Sequence, residues 1–242
     1  MSSSALLSPL FLLSISLFLP LALAISPIDY SCPSGTFAPN STYSKNLNNL
    51  LSYLDSETPL TGFSNGSLGL SPNRTYGLAL CRGDINSSFC KACVDQASSD
   101  IQKICPLKKE AVVWYEFCEL RYSNLSFFGQ IDNGDKFYQV NHNESSNPVS
   151  FNQQVITLLK WLREEAIISP KLYANGALIS IENSPTVYGV VQCTRDLSSA
   201  NCNECLTGAI NLVPKLALGR VGAKIWSGSC NVRYEIYQFY TA

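Results

Sequence analysis

The chain has 242 residues with nearly balanced charge, 17 Lys and Arg against 18 Asp and Glu, and it contains ten cysteines. A net charge of −1 lacks the basic excess that neutralises phosphates, which argues against nucleic acid and against a polybasic membrane-surface contact. The length suffices for one large domain or for two of about a hundred residues each.

The chain begins with a predicted signal peptide at residues 1–24. A leucine-rich run from Leu6 ends in a small-x-small sequence at 22–24, and the first charged side chain is Asp29. An uncleaved membrane anchor is the disfavoured alternative, because serines and prolines interrupt the run. No later apolar stretch has the length of a membrane span, so we expect a secreted protein without a membrane anchor. Six N-glycosylation sequons agree with this route, at Asn40, Asn65, Asn73, Asn86, Asn124 and Asn143.

After the leader, the same series of predicted elements occurs twice. Apolar residues at helical spacing over 43–54 and 151–162 predict one amphipathic helix in each copy, and 90–101 and 202–213 predict a second. Runs rich in β-branched and aromatic residues predict strands at 75–81, 110–118, 119–128, 187–193, 222–230 and 231–240. Each copy is therefore expected to be an α+β domain with two helices packed on an antiparallel sheet.

The two copies are related by a shift of 112 residues over much of their length. This shift superposes Arg121-Tyr122 on Arg233-Tyr234, together with four cysteines of each copy. We therefore predict two tandem domains, at 25–130 and 131–242. The linker at 129–139 contains two glycines and several charges, which would permit relative motion of the domains, and the alternative is that the two repeat domains pack tightly.

The even number of cysteines in a chain that enters an oxidising compartment predicts disulfides. Cys32 and Cys105 have no counterpart in the second copy, where Val140 and Ala217 take their places, so we expect these two to pair. The spacing leaves the pairing of the others open. Zinc binding or redox chemistry at the Cys-x2-Cys segments is disfavoured, because the secretory route favours disulfides and nearby cysteines would occupy the thiols. We expect neither a metal nor another cofactor.

The cysteine patterns resemble those of a known plant family. Cys-x8-Cys-x2-Cys occurs at 81–93 and 193–205, and Cys-x2-Arg-Tyr occurs at 118–122 and 230–234. These patterns resemble the ginkbilobin-homologous, or stress-antifungal, domain, and the tandem arrangement resembles the cysteine-rich repeat secretory proteins. The resemblance implies recognition of a carbohydrate or a protein outside the cell. It also implies the remaining disulfides, which are Cys81–Cys90, Cys93–Cys118, Cys193–Cys202 and Cys205–Cys230.

The resemblance further implies a mannose site made of an Asn after the first cysteine position, an Arg six residues before the last cysteine and a Glu five residues after it. The first copy has unsuitable residues there, Pro33, Val112 and Ser123. The second copy has a nearly complete set, Asn141, Lys224 and Glu235, with lysine in place of arginine. This set predicts a mannose-type, antifungal lectin site in the second domain. The alternatives are that Lys224 and Glu235 form a surface ion pair and that the protein binds a receptor ectodomain or cell-wall protein.

Catalysis is not expected from this sequence. His142 is the only histidine, and it lies in a polar segment where a solvated role is favoured over that of a general base. The acidic pairs on helix surfaces lack the apolar surroundings that raise a catalytic pKa. The sequence therefore predicts an extracellular binding protein of plant defence or stress response, not an enzyme.

Overall fold

The computed structural model describes residues 26–241, apart from 34, 133, 135 and 180–184. The predicted signal peptide at 1–24 lies outside the described residues. Within them, two five-stranded antiparallel sheets follow one another along the chain, and helices pack on one face of each. The predicted α+β class with two disulfide-rich domains is confirmed. None of the described helices combines the length and the apolar character needed to cross a membrane.

The first domain contains five strands and two helices. The strands are β1 (Asp29–Ser31), β2 (Phe63–Leu68), β3 (Thr75–Cys81), β4 (Ala111–Trp114) and β5 (Cys118–Ser123), and the helices are α1 (Thr42–Thr61) and α2 (Ser87–Ile104). The strand order in the sheet is β1-β4-β5-β3-β2. The apolar face predicted for α1, which runs from Tyr43 to Leu54, is buried against the sheet.

The second domain repeats this plan. Its strands are β6 (Lys136–Val140), β7 (Tyr173–Leu178), β8 (Val187–Cys193), β9 (Gly222–Ser227) and β10 (Cys230–Glu235), and its helices are α3 (Pro148–Ile168), α4 (Ser199–Ile210) and α5 (Val213–Leu216). The strand order is β6-β9-β10-β8-β7, which is the order of the first sheet with each strand replaced by its repeat. The one-turn helix α5 has no counterpart among the predicted elements.

The helices begin where the sequence supplies a side-chain cap. Ser41 accepts a hydrogen bond from the backbone N–H of Ser44, and Asn86 accepts from those of Ser88 and Phe89. Such caps satisfy N–H groups that have no partner inside the helix. Helix α1 ends at Gly62, whose φ of 81° lies in the left-handed region that favours glycine. The local sequence thus sets both ends of α1.

Five disulfides are present, and their pairs are those expected from the duplication and from the family resemblance. Within each domain, one bond ties the strand end at 81 or 193 to the following helix, and the other ties that helix to the strand that begins at 118 or 230. The fifth bond joins Cys32 to Cys105. In the second domain, Ala217 is buried and Val140 packs against the same core, so apolar contact replaces the missing bond.

The two domains dock through the faces of their sheets that carry no helices. Trp114 and Trp226 are buried together with Val112 between the sheets, and the indole N–H of Trp114 donates to the carbonyl of Ser227 at 3.3 Å. The side-chain amide of Gln192 donates to the carbonyl of Cys81 at 3.0 Å. Trp114 and Trp226 occupy corresponding positions of the two copies, 112 residues apart, so equivalent strands of the two domains meet at this contact.

The predicted linker is held by both domains. Asp132 forms an ion pair with Arg121 at 3.2 Å, and its backbone N–H donates to the hydroxyl of Ser229 at 2.8 Å. The backbone N–H of Gly129 donates to Asp196 at 2.8 Å. Residues 136–140 are not linker at all, because they form the edge strand β6. The relative motion suggested by the composition of 129–139 is therefore opposed by specific contacts.

Candidate functional site

The three predicted sugar-site residues lie on two neighbouring strands of the second sheet and just after a third. Glu235 of β10 pairs with Gly222 of β9, and the backbone N–H of Asn141, just after β6, donates to the carbonyl of Gly222 at 2.9 Å. Lys224 lies two residues along β9. Because residues opposite each other on paired strands share a face, all three lie on the helix-free face around Gly222. The fold thus brings together residues that are 94 positions apart in the sequence, from 141 to 235.

Glu235 is largely withdrawn from solvent. It is only 6% exposed, and its carboxylate accepts from the guanidinium of Arg233 at 3.2 Å. A β-carbon at Gly222 would overlap this carboxylate, so the absence of a side chain at 222 makes room for it. Burial raises the pKa of the Glu235 carboxyl, and the charge of Arg233 offsets part of that rise.

Lys224 is bonded to the first domain. Its ammonium lies 3.0 Å from the carboxylate of Glu116, which follows β4 and also contacts the guanidinium of Arg233 and, at 3.1 Å, that of Arg82. A single carboxylate therefore joins three cations from both domains. The alternative of a surface ion pair between Lys224 and Glu235 is wrong, because among the described residues each of the two pairs with a different partner.

Asn141 is the member of the set with an unused donor. It is partly exposed, and its side-chain oxygen accepts from the backbone N–H of Asn143 at 2.9 Å, which leaves its NH₂ group without a hydrogen-bond partner in the described structure. In the first domain, Val112 takes the place of Lys224 and belongs to the apolar contact between the domains. Ser123 takes the place of Glu235, and its hydroxyl accepts from the N–H of Leu125. The polar arrangement is therefore particular to the second domain.

Sequence reasoning missed the importance of Glu116 and Arg82. The repeated Arg-Tyr pair drew attention to Arg233, but Glu116 lies in a turn of the other domain, and nothing in its neighbourhood along the chain indicates contact with Lys224. Only docking of the two sheets brings Glu116 to the site. A cation–π contact between Arg233 and Phe239, 3.9 Å from the ring centre, adds the C-terminal segment to the same cluster.

The remaining candidates take no part in the ion-pair cluster around Glu116, although His142 and Asn143 directly follow Asn141. His142 is exposed, and its backbone carbonyl accepts from Arg220 at 2.6 Å. Trp161 is 50% exposed on α3 and packs over Gly176 of β7. The described residues contain no free cysteine and no cluster of three metal-ligating side chains. All six predicted glycosylation sites are exposed or partly exposed, Asn40, Asn65, Asn73, Asn86, Asn124 and Asn143.

The architecture defines a class of protein: a tandem pair of disulfide-rich α+β domains docked through helix-free sheet faces. The same fold occurs in the tandem DUF26 ectodomain of the Arabidopsis thaliana cysteine-rich receptor-like protein PDLP8, with a TM-score of 0.78, 24% identity, and coverage of 87% of this chain and 98% of that one. The chain belongs to the salt stress response/antifungal family, whose model matches residues 31–125 and 138–237.

Two curated relatives show the similarity over most of their length. An antimicrobial ginkbilobin-2-like protein of Castanea crenata is 44% identical over 243 aligned residues, which cover 100% of both chains. Cysteine-rich repeat secretory protein 38 of Arabidopsis thaliana is 44% identical over 207 residues, which cover 85% of this chain and 81% of that protein. Both identities are well above the 24% of the PDLP8 ectodomain, so these relatives share more with the chain than its fold.

Proposed function

We propose that this protein is secreted, is N-glycosylated on its first domain and at Asn143, and acts in plant defence by binding a mannose-type glycan through its second domain, without catalysis. The observation that carries the proposal is the convergence of Asn141, Lys224 and Glu235 around Gly222 on one sheet face. The similarity to an antimicrobial protein and to secretory proteins supports the extracellular and defensive parts of the proposal.

The chemistry of the set suits a hexose diol. Adjacent hydroxyls need donors and acceptors close together, and an amide, an ammonium and a carboxylate supply both kinds. Lys224 and Glu235 already bond to Glu116 and Arg233, so a sugar must use their remaining hydrogen-bonding positions or displace these partners. Lysine also lacks the planar fork of arginine. We therefore expect weak binding of a single mannose, with a dissociation constant on the order of 1 mM, and stronger retention by multivalent mannan.

The test is mannan binding by the purified, disulfide-bonded protein. Glu235→Gln keeps the shape of the side chain but removes the charged acceptor, and Asn141→Ala removes the partly exposed amide. We expect both variants to lose retention on immobilised mannan. Gln153→Ala is the matched control, because Gln153 is exposed on α3 in the opposite layer of the same domain. Equal retention of the wild type and Glu235→Gln would remove the lectin proposal.

A second candidate function is binding of an extracellular protein, such as a receptor ectodomain. The similarity to a receptor-like ectodomain favours it, as do Trp161, Ile168 and Ile179, which are at least half exposed in a domain with one sequon. This candidate predicts that Trp161→Ala abolishes capture of the partner and leaves mannan retention unchanged. The lectin proposal predicts that Glu235→Gln does the reverse. A glycan array and a cell-wall protein pull-down with the same two variants distinguish them.

A further inference from the structure

A cavity of about 180 Å³ opens beside α4 in the second domain, away from the proposed sugar site. Apolar side chains of Ala209, Leu212 and Ile225 line it, together with the disulfide between Cys205 and Cys230. Trp226 borders the cavity from β9, while its side chain lies on the opposite face of the sheet, between the domains. An apolar cavity of about 150 Å³ is large enough to hold benzene. The cavity therefore has the volume of one aromatic ring with a small substituent.

In the first domain, a tyrosine fills the corresponding place. Tyr115 is 2% exposed, and its hydroxyl lies 3.0 Å from the carboxylate of Asp100. The side-chain amide of Gln96 donates to the same carboxylate oxygen. An aromatic ring, a carboxylate and an amide thus close the space between α2 and the end of β4.

The second domain has lost all three of these groups. At positions 112 residues later, Ser227 replaces the tyrosine, Leu212 replaces the aspartate and Gly208 replaces the glutamine. All three replacements line the cavity, and a β-carbon built at Gly208 would meet no atom within 4 Å. The cavity is therefore the space of a missing phenol ring, left after the copies diverged.

The polar groups around the cavity restrict what it can hold. The hydroxyl of Ser227 donates to the carbonyl of Cys230 at 3.1 Å, so the interior offers little to a polar ligand. Lys136 and Glu204 also line the cavity and are exposed, which places them at its opening, and neither has an ion-pair partner in the described part of the chain. Asp132 also lines the cavity, but its carboxylate is already bonded to Arg121 at 3.2 Å and to the backbone N–H of Gly134. The ammonium of Lys136 and the carboxylate of Glu204 together disfavour a charged ligand, whereas a hydroxyl can donate to the carboxylate and accept from the ammonium.

We propose that this cavity is a binding site for a small uncharged phenol, with its ring between Ala209, Leu212 and Ile225 and its hydroxyl at Lys136 and Glu204. Burial of the ring in an apolar space provides the favourable free energy, and the hydroxyl sets the orientation. The first domain has no such site, because Tyr115 occupies the space. The stoichiometry is therefore one phenol per chain.

The probe is 4-methylphenol, which reproduces a tyrosine side chain. Isothermal titration calorimetry on the full disulfide-bonded protein should give saturable binding of one molecule per chain, and the backbone amide NMR signals of Gly208 and Ser227 should shift. Gly208→Gln restores the first-copy residue and should weaken binding by about tenfold or more, because its side chain takes the space of the ring. Leu212→Phe is a second filling variant and should act in the same direction.

Asn203→Gln is the matched control, since it changes an exposed residue of α4 that does not line the cavity. It should bind 4-methylphenol like the wild type. Near-ultraviolet circular dichroism establishes that each variant is folded. The proposal is overturned if the wild type shows no saturable binding up to the solubility limit of the probe, or if folded Gly208→Gln binds as tightly as the wild type. Mannan retention should be the same in all these variants, so failure of either proposal leaves the other testable.

Discussion

Glu119 is a buried acid between the domains, and its replacement should change how stability depends on pH. It lies on the helix-free face of β5 and is only 4% exposed. Burial raises its pKa from the ordinary value of 4.5 to about 8, against the influence of Arg121 and reinforced by the negative charges of Asp196 and Asp132. The corresponding residue of the second domain is the uncharged Asn231.

The sign of the effect follows from proton linkage. Because the folded protein holds a proton that the unfolded chain releases above pH 4.5, the stability contribution of Glu119 is complete below that pH and is lost as pH rises towards 8. Each pH unit in this window corresponds to about 1.36 kcal/mol. Between pH 4.5 and 7.5, the unfolding free energy of the wild type should therefore fall by up to about 4 kcal/mol relative to that of Glu119→Gln. The glutamine keeps the shape of the side chain and has no charge to bury.

The assay is urea unfolding under non-reducing conditions from pH 4 to 8.5. The difference in unfolding free energy between wild type and Glu119→Gln should grow with pH and level off near the folded-state pKa of about 8. Glu204→Gln is the control, because Glu204 is an exposed carboxylate on α4. Parallel stability curves for the wild type and Glu119→Gln would refute the assignment of a neutral, buried carboxyl at this position.

Three further variants test other parts of the structure. Glu116→Ala leaves three converging cations without their shared partner, so urea unfolding should show a loss of about 2 kcal/mol in unfolding free energy. An unchanged unfolding free energy would contradict the contacts of Glu116 with these cations. The double variant Cys32→Ser and Cys105→Ser opens a loop with a sequence separation of 73, and calorimetry should show a loss of about 4 kcal/mol, with the folded core retained. Gly222→Ala forces a β-carbon into the Glu235 carboxylate, so the melting temperature should fall by an amount equivalent to about 1–3 kcal/mol; an unchanged value would mean that the carboxylate lies elsewhere.

Two strands show why part of the fold escapes prediction. The segments of β2 and β7 contain Asn-Gly, which is a turn signal, and neither segment was predicted as a strand. In the fold, Gly66 and Gly176 lie beneath the aromatic rings of Tyr53 and Trp161. The glycines admit a close helix contact there, and that requirement comes from tertiary packing instead of local conformation.

The sequence alone determined the duplication, the helices with their apolar faces, and the assignment of cysteines to each copy, and it predicts a secretory leader. These features depend on local periodicity and on comparison of one copy with the other, both of which can be read along the chain. The tertiary structure decided which faces meet. Docking of the helix-free faces buries Glu119, places Glu116 against Lys224 and Arg233, and makes the predicted sugar ligand Lys224 a residue that also holds the domains together. Contacts between distant segments depend on how two surfaces fit, and no spacing within either copy encodes that fit.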